Sequence, residues 1–234
     1  MNQPSCSSTA LFGTVRDWRK VSERLAGKYR TVQYDARARG KSGTSNDYSV
    51  RAAVDDIGRV IGATGIARPV LVGWSHGATL AVRYGAQHLD EVRGIVLIDG
   101  GYPIAVFDEA GKEKVREQFR RLGWMMRILA AFGRSAHMSP EQTAGVVIEM
   151  DAVNGELADD FAALRCPTDF VVGTGGHRGT TEQEMRPIRA SAAKAVASNP
   201  LVSVFATAPS NHTQLLSKSP DVIVGAIEDV IARQ

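Results

Sequence analysis

The chain has 234 residues, enough for one α/β domain with a full core and an inserted subdomain. Its 28 Lys and Arg against 25 Asp and Glu leave a net charge of +3, too weak and too dispersed to mark a nucleic-acid partner. Two cysteines, Cys6 and Cys166, build no disulfide framework, the start lacks the pattern of a secretory leader, and no apolar run approaches the roughly 18 to 20 residues that cross a bilayer; the expectation is a cytoplasmic protein with no membrane partner.

In chain order, "TALFG" (9–13) is a weak strand candidate and "RDWRKVSERLAGK" (16–28) a helix. "RTVQYDA" (30–36) reads as a strand, "SVRAAVDDIGRVIGATG" (49–65) as a helix, "RPVLVGW" (68–74) as a strand and "ATLAVRYGAQHL" (78–89) as a helix. The strand "RGIVLIDG" (93–100) follows. Residues 102–165 then show helical patterning only, at 113–133 and 139–153, before the strands "TDFVVGT" (168–174) and "LVSVFAT" (201–207) with helices at 182–198 and 219–234. Short apolar strands alternating with helices predict a mostly parallel sheet covered on both faces, with its active site at the carboxyl ends of the strands. The 60-residue helical interval predicts a cap (102–165) inserted into a core built from 1–101 and 166–234. Trp124, Met125, Met126, Ile128 and Leu129 on the cap's apolar side would pack it against the core or line a pocket for an apolar substrate.

The segment Gly73-Trp74-Ser75-His76-Gly77 closes one strand and opens the next helix. A serine there, between glycines that permit a sharp turn, stands above the sheet at a helix N-terminus, where free N–H groups favour developing negative charge. Ser75 is thus a candidate nucleophile, with Trp74 beside it as a candidate substrate contact.

With this elbow, the segment "YDARARGKSG" (34–43) resembles the α/β-hydrolase superfamily's D-x-R-G-x-G-x-S loop: Asp35, Arg37, Gly40 and Ser42 match and Ala38 stands where a glycine is common. "DWRKVSERLAGKYRTVQYD" resembles the helix and strand leading into it, and the resemblance extends from about Leu11 to the C-terminus. It implies an α/β-hydrolase fold and a serine, acid and histidine in that chain order.

His212, in "TAPSNHTQLL" after the last strand, matches the position of the family's histidine, which would take the serine's proton. The family's commonest acid position falls in "FVVGTGGHRGTTEQE", where Thr174, Gly175 and Gly176 stand instead. A second family position, the end of the strand after the nucleophile helix, holds Asp99. Asp99 is the preferred candidate, with Glu182, Glu184, Asp169 or no acid as alternatives. The "GTGGHRG" loop is either a recognition element, with His177 and Arg178 as candidate substrate contacts, or a surface turn. One oxyanion donor would be the N–H of His76. The resemblance assigns the other to Thr14, with Gly13 kept and Phe12 replacing the family's histidine.

On that resemblance the family's two earlier strands would be absent or replaced by "MNQPSCSS", which would leave a sheet edge open. Truncation, divergence, or a homodimer that covers the edge would each account for this. The expected function is a serine hydrolase acting on an ester, thioester, lactone or amide of medium-sized apolar character, through an acyl-enzyme. No metal or cofactor is expected, since no cluster has ligand spacing. The alternatives are a ligand-binding protein on the same scaffold and a cyclase or lyase using the same pocket.

Overall fold

The computed structural model describes residues 5–9, 14–131, 136–175 and 181–233. The calls on Gly13, Phe12, His177 and Arg178 therefore lie outside the described residues. Six strands form one parallel sheet: β1 (Ser5–Thr9), β2 (Arg30–Gln33), β3 (Val70–Trp74), β4 (Gly94–Ile98), β5 (Thr168–Gly173) and β6 (Val202–Ala208), in the order β2-β1-β3-β4-β5-β6. The chain runs outward from β1 to β2, returns to the other side of β1 with β3, and then adds β4, β5 and β6 in turn. This makes a topological switch point between β1 and β3, and Ser75 follows β3 at the rim beside it.

Four strands lie within two residues of their predicted segments, β2 ends three residues before the predicted 36, and β1 meets the first predicted run only at its start. Of the run 9–13, Thr9 belongs to β1 and 10–13 lie outside the described residues; the polar Ser5–Thr9 segment is held by parallel pairing on both sides, to β2 and to β3. Backbone pairing places this strand, and an apolar-run criterion cannot see it.

The alternation of faces explains why near-continuously apolar strands fit here. Leu71, Ile95, Leu97, Phe170 and Val172 point into a core formed with helices α2 (Val50–Thr64), α3 (His76–Gln87) and α5 (Pro140–Ala163). Val70, Val72, Val96, Ile98 and Val171 point the other way, toward α1 (Arg19–Leu25) and α9 (Pro220–Ala232). Both faces are buried, so period two is present without polar residues to reveal it.

Between β4 and β5 lie α4 (Glu109–Ala131) and α5, packed against each other. Ser139 and Gln142 form a capping box at the start of α5, satisfying two orphan backbone donors. The helix runs ten residues beyond the predicted 153, through the turn-like pair Asn154-Gly155. There Thr79 donates to Asn154 Oδ1 at 2.7 Å, and the bare Gly155 lets Ala105 approach closely. Leu157 and Phe161, in the last turns of α5, are fully buried in the main core, and Asn199 donates to the carbonyls of Phe161 and Leu164 at the helix end. On α4, Trp124, Met125 and Ile128 are 68%, 37% and 50% exposed, so these three side chains do not pack the interval against the core.

The predicted helix at 182–198 is two helices, α6 (Glu182–Ala190) and α7 (Ala192–Ser198), joined at Ser191. The turn after β6 contains a 3-10 segment (His212–Gln214) and the one-turn α8 (Leu215–Lys218). Among the described residues, no helix is long and apolar enough to cross a membrane.

Candidate functional site

The elbow at the end of β3 is strained. Ser75 has φ +57° and ψ −119°, a backbone conformation costing a non-glycine residue about 1 to 3 kcal/mol. It is held there by its N–H donating to the Ile98 carbonyl at 2.9 Å and by its own carbonyl accepting from Ala78 N–H at 3.0 Å. The turn is tight enough that a Cβ at Gly73 would stand 2.2 Å from the Gly77 carbonyl oxygen, and one at Gly100 would stand 2.3 Å from that of Ser75. Gly100 is therefore a steric requirement of the elbow supplied by the neighbouring strand, a role the G-x-S-x-G pattern does not contain.

Asp99 directly follows β4 on that same neighbour, also in the left-handed region at φ +41°. Its N–H donates to the Val171 carbonyl at 2.9 Å, anchoring it to β5, and its side chain is fully buried. Four residues converge on the carboxylate. His212 Nδ1 bonds Oδ2 at 3.0 Å, Arg189 donates through Nε to Oδ1 and through Nη2 to Oδ2, both at 3.0 Å, Tyr102 donates to Oδ1 at 2.8 Å, and Gly173 N–H reaches Oδ1 at 3.3 Å. Burial pushes the Asp99 carboxyl upward, but the bonds and charges of His212 and Arg189 outweigh it and hold the group well below the usual carboxylate range. Burial, then the adjacent Asp99 charge, pushes the Tyr102 phenol well above 10, so it remains a donor.

An ionised Asp99 accepts only, so the His212 proton sits on Nδ1 and the basic nitrogen of the neutral ring is Nε2. Asn211 caps the turn that carries His212, accepting from Gln214 N–H. Trp74 supports the same residue: its Nε1–H donates to the His212 carbonyl at 3.1 Å and the two rings lie 5.5 Å apart. The indole expected at the substrate is thus engaged with the histidine.

The other candidates are spread out. His76 is the first residue of α3, where a backbone N–H has no acceptor within the helix. Its imidazole is buried, Nδ1 has no hydrogen-bond partner among the described residues, and burial, followed by the nearby Arg39 charge, pushes its pKa down to about 3. Thr14 N–H donates to Asp17 Oδ2 at 2.7 Å, as part of a capping box. An N–H has one hydrogen, so the amide expected at the oxyanion is committed to Asp17. Glu184 closes a capping box with Thr181 at the start of α6, and Glu182 is exposed on the same turn. Asp169 lies at the amino end of β5, away from Asp99, where Ser203 donates to it at 2.6 Å and Arg233 pairs with it. Of the four carboxylates weighed, only Asp99 bonds His212 among the contacts described.

Arg189 and Tyr102 escaped sequence reasoning. Tyr102 follows Asp99 by three residues in a segment otherwise read as the start of the cap. Arg189 sits 90 residues away from Asp99 on α6, with no spacing that ties it to the elbow.

A family model for the alpha/beta hydrolase fold matches residues 9–139, more than half of the chain. Epoxide hydrolase 3 of Xenopus tropicalis is 32% identical over 94 residues, covering 39% of this chain and 26% of that protein. N-formylmaleamate deformylase of Pseudomonas putida is 37% identical over 84 residues, covering 35% and 31%. The chain thus spans about a quarter to a third of the length of the curated relatives it matches. A carboxylesterase structure from Nitrososphaera gargenis superposes with a TM-score of 0.76 at 19% identity, covering 100% of this chain and 92% of that one, which is a likeness of fold. The strand order, the strained serine turn and the family match together make this chain a member of the alpha/beta hydrolase fold family.

Proposed function

We propose that the chain is a serine hydrolase in which Ser75 attacks a carboxylic ester, thioester, lactone or amide, His212 carries the proton and Asp99 orients His212. The observation that carries this reading is the 3.0 Å bond between His212 and the buried Asp99, at the rim where Ser75 is held in its strained turn. His212 Nε2 takes the Ser75 proton as the Oγ–carbon bond forms and the carbonyl electrons move onto oxygen. The same proton passes to the leaving group as the acyl-enzyme forms, and water repeats the sequence to release the acid. His76 N–H is one oxyanion donor. The second is assigned to the 13–14 segment, through Thr14 once its amide leaves Asp17.

The curated relatives include a deformylase and an epoxide hydrolase, and the residue at position 75 separates those chemistries. Serine opening an epoxide would leave an ether that a His–Asp pair and water cannot cleave, whereas an acyl-serine ester turns over. Helices α4 and α5 are assigned as the cap over this rim. The exposed Trp124, Met125 and Ile128 give no support to an apolar specificity, so the substrate is proposed as a small molecule with an accessible acyl group.

A fluorophosphonate probe tests the reading: it labels the wild type and not Ser75→Ala. A folded wild type that takes no label overturns it in favour of a ligand-binding protein on this scaffold, the reading that the committed Thr14 amide favours.

A further inference from the structure

Resting on that reading of Ser75, His212 and Asp99, we propose that Arg189 is a positioning residue of the site, acting through Asp99 to fix His212 and to set the pH range in which it works. The geometry is that of a designed clamp. The guanidinium meets the carboxylate edge to edge, two parallel bonds of 3.0 Å, with the arginine side chain 9% and the aspartate side chain 0% exposed. Tyr102 and Gly173 take further positions on Oδ1, and the Tyr102 ring is itself fixed by parallel stacking on Phe170 at 5.8 Å. The carboxylate is left one direction, Oδ2 toward His212 Nδ1. A buried aspartate needs a partner, but the histidine alone would supply it in the step that forms the imidazolium. The arginine shares the same charge permanently.

That sharing has a chemical consequence. When His212 takes the Ser75 proton, the new imidazolium stands across Oδ2 from a guanidinium already bonded there. The two cations compete for one carboxylate, which disfavours the protonated ring relative to an unclamped Asp–His pair. The clamped ring gives its proton to the leaving group more readily in the second half of each step. Among the described residues, the titratable and charged groups facing the pair are Asp99 itself at the end of β4, Tyr102 from the segment after β4, and Arg189 from α6; β5 contributes only the Gly173 amide and β3 the untitrating Trp74.

Two variants test this, followed by fluorophosphonate labelling rate against pH and by turnover of p-nitrophenyl acetate. Arg189→Met removes the charge: the acidic limb of both profiles moves to higher pH by about one unit, and kcat falls at least tenfold with KM changed less than threefold. Arg189→Lys keeps the charge and loses the fork: the limb stays within a few tenths of a unit of wild type while kcat still falls, partly rescued relative to the methionine variant. A merely structural role would lower the folded fraction without moving the limb. If Arg189→Met does not fold, the lysine variant decides alone, since wild-type kcat in it overturns the positioning role. A labelled wild type whose limb is unmoved in folded Arg189→Met overturns this inference and leaves the hydrolase reading intact; an unlabelled wild type overturns both.

Discussion

His212 and Asp99, 113 residues apart in the chain, meet at 3.0 Å across the rim of the sheet. Neither belongs to the strand that carries Ser75. The meeting depends on the strand order: β4 lies next to β3, β5 and β6 follow in turn, and the turn after β6 folds back over the rim with Trp74 holding its carbonyl. Asp99 thus reaches His212 from the strand next to the one that Ser75 follows, with β5 contributing a backbone amide in place of a carboxylate.

Asp99→Asn tests that arrangement. The amide removes the charge that holds the imidazole tautomer, and turnover should fall by about three to four orders of magnitude. The fold should also suffer, because Arg189 loses its partner in a nearly closed site, at a cost of about 3 to 5 kcal/mol. Chemical denaturation beside steady-state kinetics measures both. An undiminished kcat removes Asp99 from the mechanism.

Ser75 sits at φ +57°, so its side chain costs stability that the fold bears for the sake of position. Replacing Ser75 by Ala keeps the strain and should abolish labelling. Ser75→Gly should abolish labelling too, yet be more stable than the alanine variant by about 1 kcal/mol, since relief of the strained φ exceeds the added freedom of the unfolded chain. Paired melts of the two variants check the sign. Gly100→Ala should instead unfold the elbow, because its methyl would overlap the Ser75 carbonyl at 2.3 Å.

Most of this was legible in the sequence because it depends on local rules. The Ser75 elbow is a strand, a tight turn and a helix in immediate succession, and His212 follows the last strand directly. Asp99 needed one further step, its place at the end of a buried strand. Arg189 was illegible because α6 is brought to Asp99 by tertiary packing, and a surface-like arginine in "EQEMRPIRA" carries no local sign of its partner. The engagement of Thr14 is, by contrast, local: the carboxylate that takes its amide is Asp17, three residues on, and the T-x-x-D spacing announces an N-cap.

His76 gives the fold a pH dependence with a worked sign. Burial keeps its imidazole neutral in the native state, with a pKa near 3, while the unfolded chain takes up the proton near 6.5. The folded-state pKa of a base is depressed, so its full contribution holds above about 6.5 and is lost as the pH falls toward 3, at about 1.4 kcal/mol per unit. Asp99 adds to the loss below about 3.8, since its folded-state pKa is also depressed and acid protonates it first in the unfolded chain. Urea titrations from pH 7 to pH 4 should show this slope in the wild type and a flatter one in His76→Gln. Equal slopes would place the acid sensitivity elsewhere.

The proposal that Thr14 is an oxyanion donor is tested at Asp17. Its carboxylate holds the Thr14 amide at 2.7 Å, while the neighbouring Val15 amide is held by Asp35 at 2.9 Å, so both N–H groups at the start of the 3-10 segment Val15–Trp18 are bound by side chains. If Thr14 is the donor that meets the oxyanion, the ground state pays for breaking the Asp17 bond in every turnover, and Asp17→Ala should raise kcat severalfold while lowering Tm by a few degrees through the lost cap. Asp35→Ala should not share the gain, because it frees Val15 and leaves Thr14 bound. A kcat that is unchanged or lowered in Asp17→Ala, with the protein folded, removes Thr14 from the oxyanion site and assigns the second donor to the chain before it.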